Sequence, residues 1–221
     1  MRIGIVGGTG PAGSGLAVRL AAAGHEVLLG SRDPDKAAQR VGELHAKWDT
    51  RVQTLRGVAN AEAARTEVVV LATVADSVVA TAAELAGDLD GRVVVCMANL
   101  LSRVERGFAA VLPDGGSVAV DVQNTLPGAR VVGAYQNLPA KALAELDLAI
   151  DADVVVCGDD ADAVSTVIDV TATVDGLRPI DGGPLVNAAA IEALTAVLLT
   201  VNRARKGEYG IRLVELRAKL R

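Results

Sequence analysis

Two hydrophobic rhythms run along the chain. Short apolar-rich runs, too brief for helices, recur at 2–6, 26–30, 67–72, 92–96, 131–135 and 153–157. Such runs are what strands buried on both faces of a parallel sheet require. Between them, apolar side chains return every three or four positions over 11–23, 34–48, 76–86, 161–173 and 184–206, which predicts helices. The punctuation agrees. Gly24 suits a helix C-terminal cap, and Asp33-Pro34 supplies a cap and a first helical position. Shorter helices are predicted over 60–64 and 139–146, a short strand over 51–55, and an edge strand over 176–181, where Pro179 cannot serve a ladder's middle. Residues 97–116 read mostly as loop. Residues 117–125 satisfy both periods: V-A-V-D-V alternates like a strand, while Val118, Val122 and Leu126 share one helical face. Strands alternating with helices predict the α/β class, a doubly wound parallel sheet of Rossmann type with a small C-terminal α/β extension.

The first run ends in Gly7-Gly8-Thr9-Gly10-Pro11-Ala12-Gly13. Gly8-x-Gly10-x-x-Gly13 between a strand and a helix has the spacing of a dinucleotide-binding turn. The first glycine permits the turn, the second admits a pyrophosphate to the backbone, and the third lets helix and strand pack closely. Free N–H groups and the helix dipole then hold phosphate. Pro11 fits a first helical position, having no N–H to leave unsatisfied. The second strand ends in Gly30-Ser31-Arg32 with no carboxylate at its tip. Ser31 can donate a hydrogen bond, Arg32 can fork onto a phosphate, and Lys36 follows one turn later. Together they suit the 2′-phosphate of NADP, with Thr9 as a further hydroxyl. Two bland alternatives stand beside this: Arg32 and Lys36 as solvated charges, and Asp33 as either a ribose acid or a helix cap.

Composition narrows the field. The chain of 221 residues is 51% hydrophobic but 2% aromatic, so its core is built from Ala, Val, Leu and Ile. A net charge of −5 and no basic run argue against nucleic acid as a partner. Cys96 and Cys157 lack metal spacing and read as buried thiols in a reducing compartment. The opening strand leaves no room for a signal peptide, and Asp76 breaks the longest apolar stretch short of the ~18 residues of a membrane span. The expectation is a soluble cytoplasmic protein with no membrane partner.

Ligands of such sheets sit beyond the carboxyl ends of the strands. That places Ala72, Thr73, Val74, Asn99, Gln136, Asn137 and Leu138 around the nicotinamide, with Met97 and Ala98 beside them. No Ser-His-Asp set, metal cluster or lysine base is evident, and His25 and His45 read as structural. No catalytic acid or base and no metal ligand is therefore assigned. Direct hydride transfer between two held rings fits this set, because proximity is most of the catalysis there.

The stretches Gly7 to Gly15, Gly24-His25, Gly30-Ser31-Arg32, Cys157-Gly158-Asp159-Asp160, Asp175 to Pro179, Gly183-Pro184-Leu185 and Glu192-Ala193-Leu194-Thr195 span nearly the whole chain. Through them the sequence resembles the NADPH-dependent coenzyme F420 reductases. The resemblance implies hydride transfer between NADP(H) and a deazaflavin, coenzyme F420. It matches the family's 2′-phosphate residues to Thr9, Ser31, Arg32 and Lys36, favours helix over 117–125, and implies a homodimer. On the acceptor side the chain departs from the family pattern: Val74-Ala75 stands for Pro-Trp, Gln136 for a frequent histidine, Ala189 for an arginine or other polar residue, and Ala193 for a serine. The reading divides the chain into an NADP-binding Rossmann domain, 1–126, and a smaller substrate and dimerisation region, 127–221. Two alternatives stand behind it: an NADPH-dependent reductase of another carbonyl or imine, and a non-catalytic NADP-binding module.

Overall fold

A computed structural model of the chain describes residues 1–216; positions 217–221 of the expected C-terminal region lie outside it. The chain begins β1 (Arg2–Val6), α1 (Pro11–Ala22), β2 (Glu26–Ser31), α2 (Pro34–Trp48), β3 (Leu55–Ala59), α3 (Asn60–Ala63) and β4 (Val68–Leu71). It continues through α4 (Ala75–Glu84), α5 (Ala86–Leu89), β5 (Val93–Cys96), β6 (Leu101–Val104), β7 (Gly107–Ala110), α6 (Val118–Thr125) and β8 (Arg130–Gly133). Last come α7 (Ala140–Leu143), β9 (Ala152–Gly158), α8 (Ala161–Ala172), β10 (Leu177–Asp181) and α9 (Ala188–Arg205). Eight strands form one sheet in the order β3-β2-β1-β4-β5-β8-β9-β10, with β6 and β7 a separate hairpin. Neighbours are parallel except β8 and β9, which meet antiparallel, Gly133 opposite Cys157. The order reverses beside β1, where the glycine turn lies, the usual ligand position in such sheets.

The unbroken apolar runs serve two cores. Ile3, Ile5, Val68, Val70, Val93 and Val95 face one side with Leu16 and Leu20 of α1. Val6, Val69, Leu71, Val94 and Cys96 face the other with Val78 of α4 and Val122 of α6. In the central strands β4 and β5 every position is thereby buried, and period-two patterning vanishes from their sequence.

Three expectations change and one ambiguity is resolved as the resemblance implied. Residues 51–55 do not form the third strand: Asp49–Val52 is a 3₁₀ turn, and β3 begins at Leu55. The strand carries Gly57 because α2 lies directly on it; a Cβ there would stand 2.5 Å from the Ala37 carbonyl carbon. Low apolarity hides such a strand. Residues 97–116 are not mostly loop, for β6 and β7 pair from Leu101↔Ala110 to Val104↔Gly107. This hairpin is held from outside its own sequence, by the Phe108 N–H donating to Thr200 Oγ1 of α9 at 3.1 Å. The ambiguous 117–125 is helix, capped by Ser117. Finally, the 21-residue segment Leu185–Arg205 holds an 18-residue window of mean hydropathy 1.6, long and apolar enough to cross a membrane by length and composition. Here it packs on α6 and β7. Its Glu192 is buried and accepts from the N–H groups of Val118 and Ala119 at 2.8 and 3.1 Å. Burial pushes the Glu192 carboxyl up, and the two N–H groups at the start of α6 oppose this.

The edge of the sheet is fastened by one buried acid. The side chain of Asp153, fully buried at the start of β9, accepts from Arg178 Nε and Nη2 at 2.7 and 2.8 Å. It also accepts from the Leu213 N–H, tying the C-terminal segment to the sheet. Arg178 foremost holds this carboxyl below its ordinary value, although burial pulls the other way. A depressed carboxylate adds stability above its unfolded pKa, and that stability is lost as pH falls through the folded one. We expect Asp153→Asn to cost about 3 kcal/mol at pH 7, the low end for a broken buried pair because Arg178 is half-exposed. Denaturant melts should show the gap between parent and variant closing below about pH 4; a gap that persisted unchanged would refute the assignment.

Candidate functional site

The glycine turn is tied on three sides. Gly7 is left-handed, φ 67°, and its N–H donates to Asn60 Oδ1 at 3.0 Å. The Gly8 N–H donates to the Gly30 carbonyl at 2.9 Å. Thr73, at the end of β4, closes the third side: a Cβ on Gly7 would run into its Cγ2. The three motif glycines then separate by function. A Cβ on Gly8 would lie 2.6 Å from Leu29 Cδ1, and one on Gly13 would lie 2.7 Å from Gly8 Cα. A Cβ on Gly10 meets nothing within 4 Å. Gly8 and Gly13 therefore serve packing, while the backbone at Gly10 faces open space of the kind a bound phosphate needs. α1 starts here without a side-chain cap and with Pro11 in its first turn, so its leading N–H groups are left for an anion.

At the tip of β2, Ser31 Oγ accepts from the Asp33 N–H at 3.2 Å, leaving its own proton to donate. Asp33 is the helix cap, accepting from the N–H groups of Asp35 and Lys36. Arg32 is exposed and makes no hydrogen bond or ion pair among the described residues. Lys36 is exposed, with a loose 4.0 Å pair to Asp33. Sequence reasoning missed two contributors. Asn60 buttresses Gly7, and Arg40 on α2 donates to Ser14 Oγ of α1 at 3.1 Å. Arg40 also lines a cleft of about 560 Å³ with Thr9 and Pro11, and its Nε is buried without a partner. Its spacing of four from Lys36 was the available signal.

A larger cavity, about 690 Å³, opens beside Ala12 and is lined by Met97, Asn99, Gln136 and Leu138, with Thr195 of α9. Gln136 is 3% exposed, and neither atom of its amide has a hydrogen-bond partner. The Gln136 backbone carbonyl accepts from Asn99 Nδ2 at 3.2 Å and Thr195 Oγ1 at 3.0 Å, which fixes the floor. Tyr135 before it is left-handed, φ 70°, a conformation unusual for a bulky residue and one that turns the chain sharply into the cavity. Its hydroxyl is held by Thr171 at 2.8 Å, and burial pushes its pKa up to about 12. The remaining sequence-predicted residues lie elsewhere. Ala72 and Thr73 back the glycine turn, and Val74 is exposed at the start of α4. Asn137 is buried and donates to the Asp153 carbonyl at 2.8 Å, away from the cavity lining. His25 bonds Thr173 and His45 bonds the Val52 carbonyl, so both histidines are engaged in the fold. Cys96 and Cys157 are free and buried, with thiol pKa values raised by burial to about 12 and about 11.

A doubly wound sheet with an uncapped glycine turn at its switch point, opening onto a polar-floored cavity, defines a dinucleotide-binding protein of the oxidoreductase kind. Residues 2–100 match the family described as NADP oxidoreductase, coenzyme F420-dependent. The F420-dependent NADP reductase of Methanocaldococcus jannaschii is 36% identical over 223 residues, 98% of this chain and 99% of its own. That of Methanothermobacter marburgensis is 36% identical over 225 residues, again 98% and 99%. Among solved structures, a proposed F420-dependent NADP reductase from Arthrobacter sp. FB24 superposes with TM-score 0.81 at 28% identity, covering 97% of this chain and 100% of that one. The chain belongs to the F420-dependent NADP reductase family.

The unequal surroundings of the glycines make a sharp expectation. Gly10→Ala should melt within about 2 °C of the parent, since its φ of −69° suits alanine and the added carbon has room. It should weaken dinucleotide binding about tenfold or more by occupying phosphate space. Gly13→Ala should instead lower the melting temperature clearly. Calorimetry with NADPH titration separates the two.

Proposed function

We propose that this protein is an oxidoreductase passing hydride between NADP(H) and the deazaflavin coenzyme F420. The observation that carries the reading is that Ala12, in the first turn of α1, lines the same cavity as Asn99, Gln136 and Leu138. A dinucleotide laid on the glycine turn thus has its way into the cavity where an acceptor ring would be held. Gly8, Thr9, Gly10, Pro11, Ala12 and Gly13 would cradle its phosphates, and Ser31, Arg32 and Lys36 its 2′-phosphate. Ala72, Thr73 and Val74 would border the nicotinamide from the β4 side. Asn137 would act from behind, keeping the turn at Gln136 and Leu138 fixed to β9.

The bound pair supplies the hydride chemistry, and the chain holds, orients and shields it. Gln136 lines the cavity with its amide buried and unpartnered among the described residues, so a rotation of that side chain would bring one donor and one acceptor to a planar ring edge. Asn99 and Thr195 fix the Gln136 backbone from which that side chain would reach. Met97 and Leu138 make the slot apolar and exclude water. The Tyr135 hydroxyl, bound to Thr171 and pushed up to about 12 by burial, is a weaker acid than a free phenol. In this reading 1–126 carries NADP, and 127–221 supplies the acceptor floor and the subunit contact. Two buried free thiols suit a reducing cytoplasm.

The test is reduction of F420 by NADPH, followed by deazaflavin absorbance, against flavins and small carbonyls. Turnover of a carbonyl or imine with no deazaflavin change would replace this reading by the second. Arg32→Ala should cost NADPH binding roughly 1.5–3 kcal/mol, about ten- to a hundredfold, while NADH binding barely moves. Equal losses for both cofactors would make Arg32 a structural residue.

A homodimer completes the proposal. The apolar stripe on α9 splits: Leu185 and Leu198 are buried, Ile191, Leu194 and Val201 are half-buried, and Val197 is 57% exposed. Val186 before the helix and Val104 on the hairpin are exposed too. Sedimentation should give a dimer for the parent and monomers for Val197→Glu. A monomeric parent would remove this part of the proposal.

A further inference from the structure

The mouth of the large cavity carries charge that its floor does not explain. Inside, the lining is amide and apolar, from Asn99 and Gln136. At the rim stand Lys141 of α7 and, at the end of α9, Arg203 and Lys206, with Glu208 as the carboxylate among them. Glu208 lies 3.7 Å from Lys141 and offsets it. Arg203 and Lys206 make no side-chain hydrogen bond or ion pair among the described residues. Two unpaired cations thus stand at one opening of a chain whose net charge is −5. A helix C-terminus favours basic residues in general. Yet Arg205, in the same last turn, lies off the cavity, whereas Arg203 and Lys206 line it. A slot with a neutral polar floor and a cationic rim fits a ligand with a flat uncharged head and an anionic tail.

We propose that Arg203 and Lys206 form a subsite for the anionic tail of the hydride acceptor, an inference that rests on the cavity being the acceptor site. The tail chemistry is phosphodiester or carboxylate. Coenzyme F420 carries both beyond its ribityl chain, and the corresponding deazaflavin riboside carries neither. The subsite contributes attraction that is equal before and during hydride transfer, so it acts on acceptor KM rather than kcat.

Steady-state reduction by NADPH of three acceptors tests this: F420, the phosphorylated deazaflavin lacking glutamyl groups, and the tail-free riboside. The parent is compared with Arg203→Glu, Lys206→Glu, the double variant and the off-cavity control Arg205→Glu. For the double variant KM for F420 should rise about tenfold or more, against less than about threefold for the riboside. Added salt should raise the F420 KM of the parent and lose that effect in the double variant. The control should keep the F420 KM of the parent. If the phosphorylated acceptor follows F420, phosphate is the group held; if it follows the riboside, the carboxylates are, and either result supports the subsite. Circular dichroism and NADPH affinity report whether each variant is folded; should the double variant fail to fold, the single variants and the parent's salt dependence decide. Equal KM shifts for charged and tail-free acceptors, or none, overturn the subsite and leave the acceptor reading standing. A parent that reduces none of the three but oxidises NADPH with another acceptor overturns both.

Discussion

Close backbone approach at the glycine turn is the constraint on which the site depends. With no side chain at Gly8 or Gly13, the first turn of α1 settles against the end of β1, where any Cβ at Gly13 would crowd the Gly8 backbone. That contact aims the unsatisfied N–H groups of α1 across the sheet's switch point. The other parts take their places from it. Asn60 and the Gly30 carbonyl hold the turn, β2 carries Ser31 and Arg32 to its flank, and Ala12 brings its far side to the large cavity.

The buried acids of the molecule are spent on the frame. Asp153 fastens the sheet edge and the C-terminal segment through Arg178 and the Leu213 N–H. Glu192 caps α6 from within an otherwise apolar helix. The two respond to acid with opposite sign. Asp153, held low, loses its contribution as pH falls, whereas Glu192, held high by burial, is relieved by protonation. The floor of the cavity, by contrast, carries amides and apolar carbon, and its one phenol is locked on Thr171. Such a floor can position two rings and has few groups with which to move a proton.

The cavity is assembled from distant pieces because the sheet changes direction. β8 ends at Gly133, the chain turns through left-handed Tyr135, and β9 returns antiparallel beside it. The turn between them projects Gln136 and Leu138 into the space beside α1, while α9 closes it with Thr195 and the cations of its last turn. The hairpin β6–β7 rests on Thr200 of α9 and adds Leu101 to the lining.

What the sequence determined alone was local: strands from unbroken apolar runs, helices from their caps, the glycine turn, and the carboxylate-free tip of β2 with Arg32 beside it. Each of these follows from neighbours within a few residues. Tertiary structure alone decided the rest. The strand at Leu55 depends on α2 pressing onto Gly57, and the 101–110 hairpin on Thr200, so neither announces itself in its own residues. The periodicity that left 117–125 undecided is resolved by Ser117 and by Glu192, seventy-odd positions away, capping the same helix. Gln136 and Asn137 are adjacent amides of similar chemistry, yet one faces the cavity unpartnered and the other is bound to Asp153. Which of them lines the cavity is set by a backbone turn and by packing from β9, long-range contacts that composition and spacing do not encode.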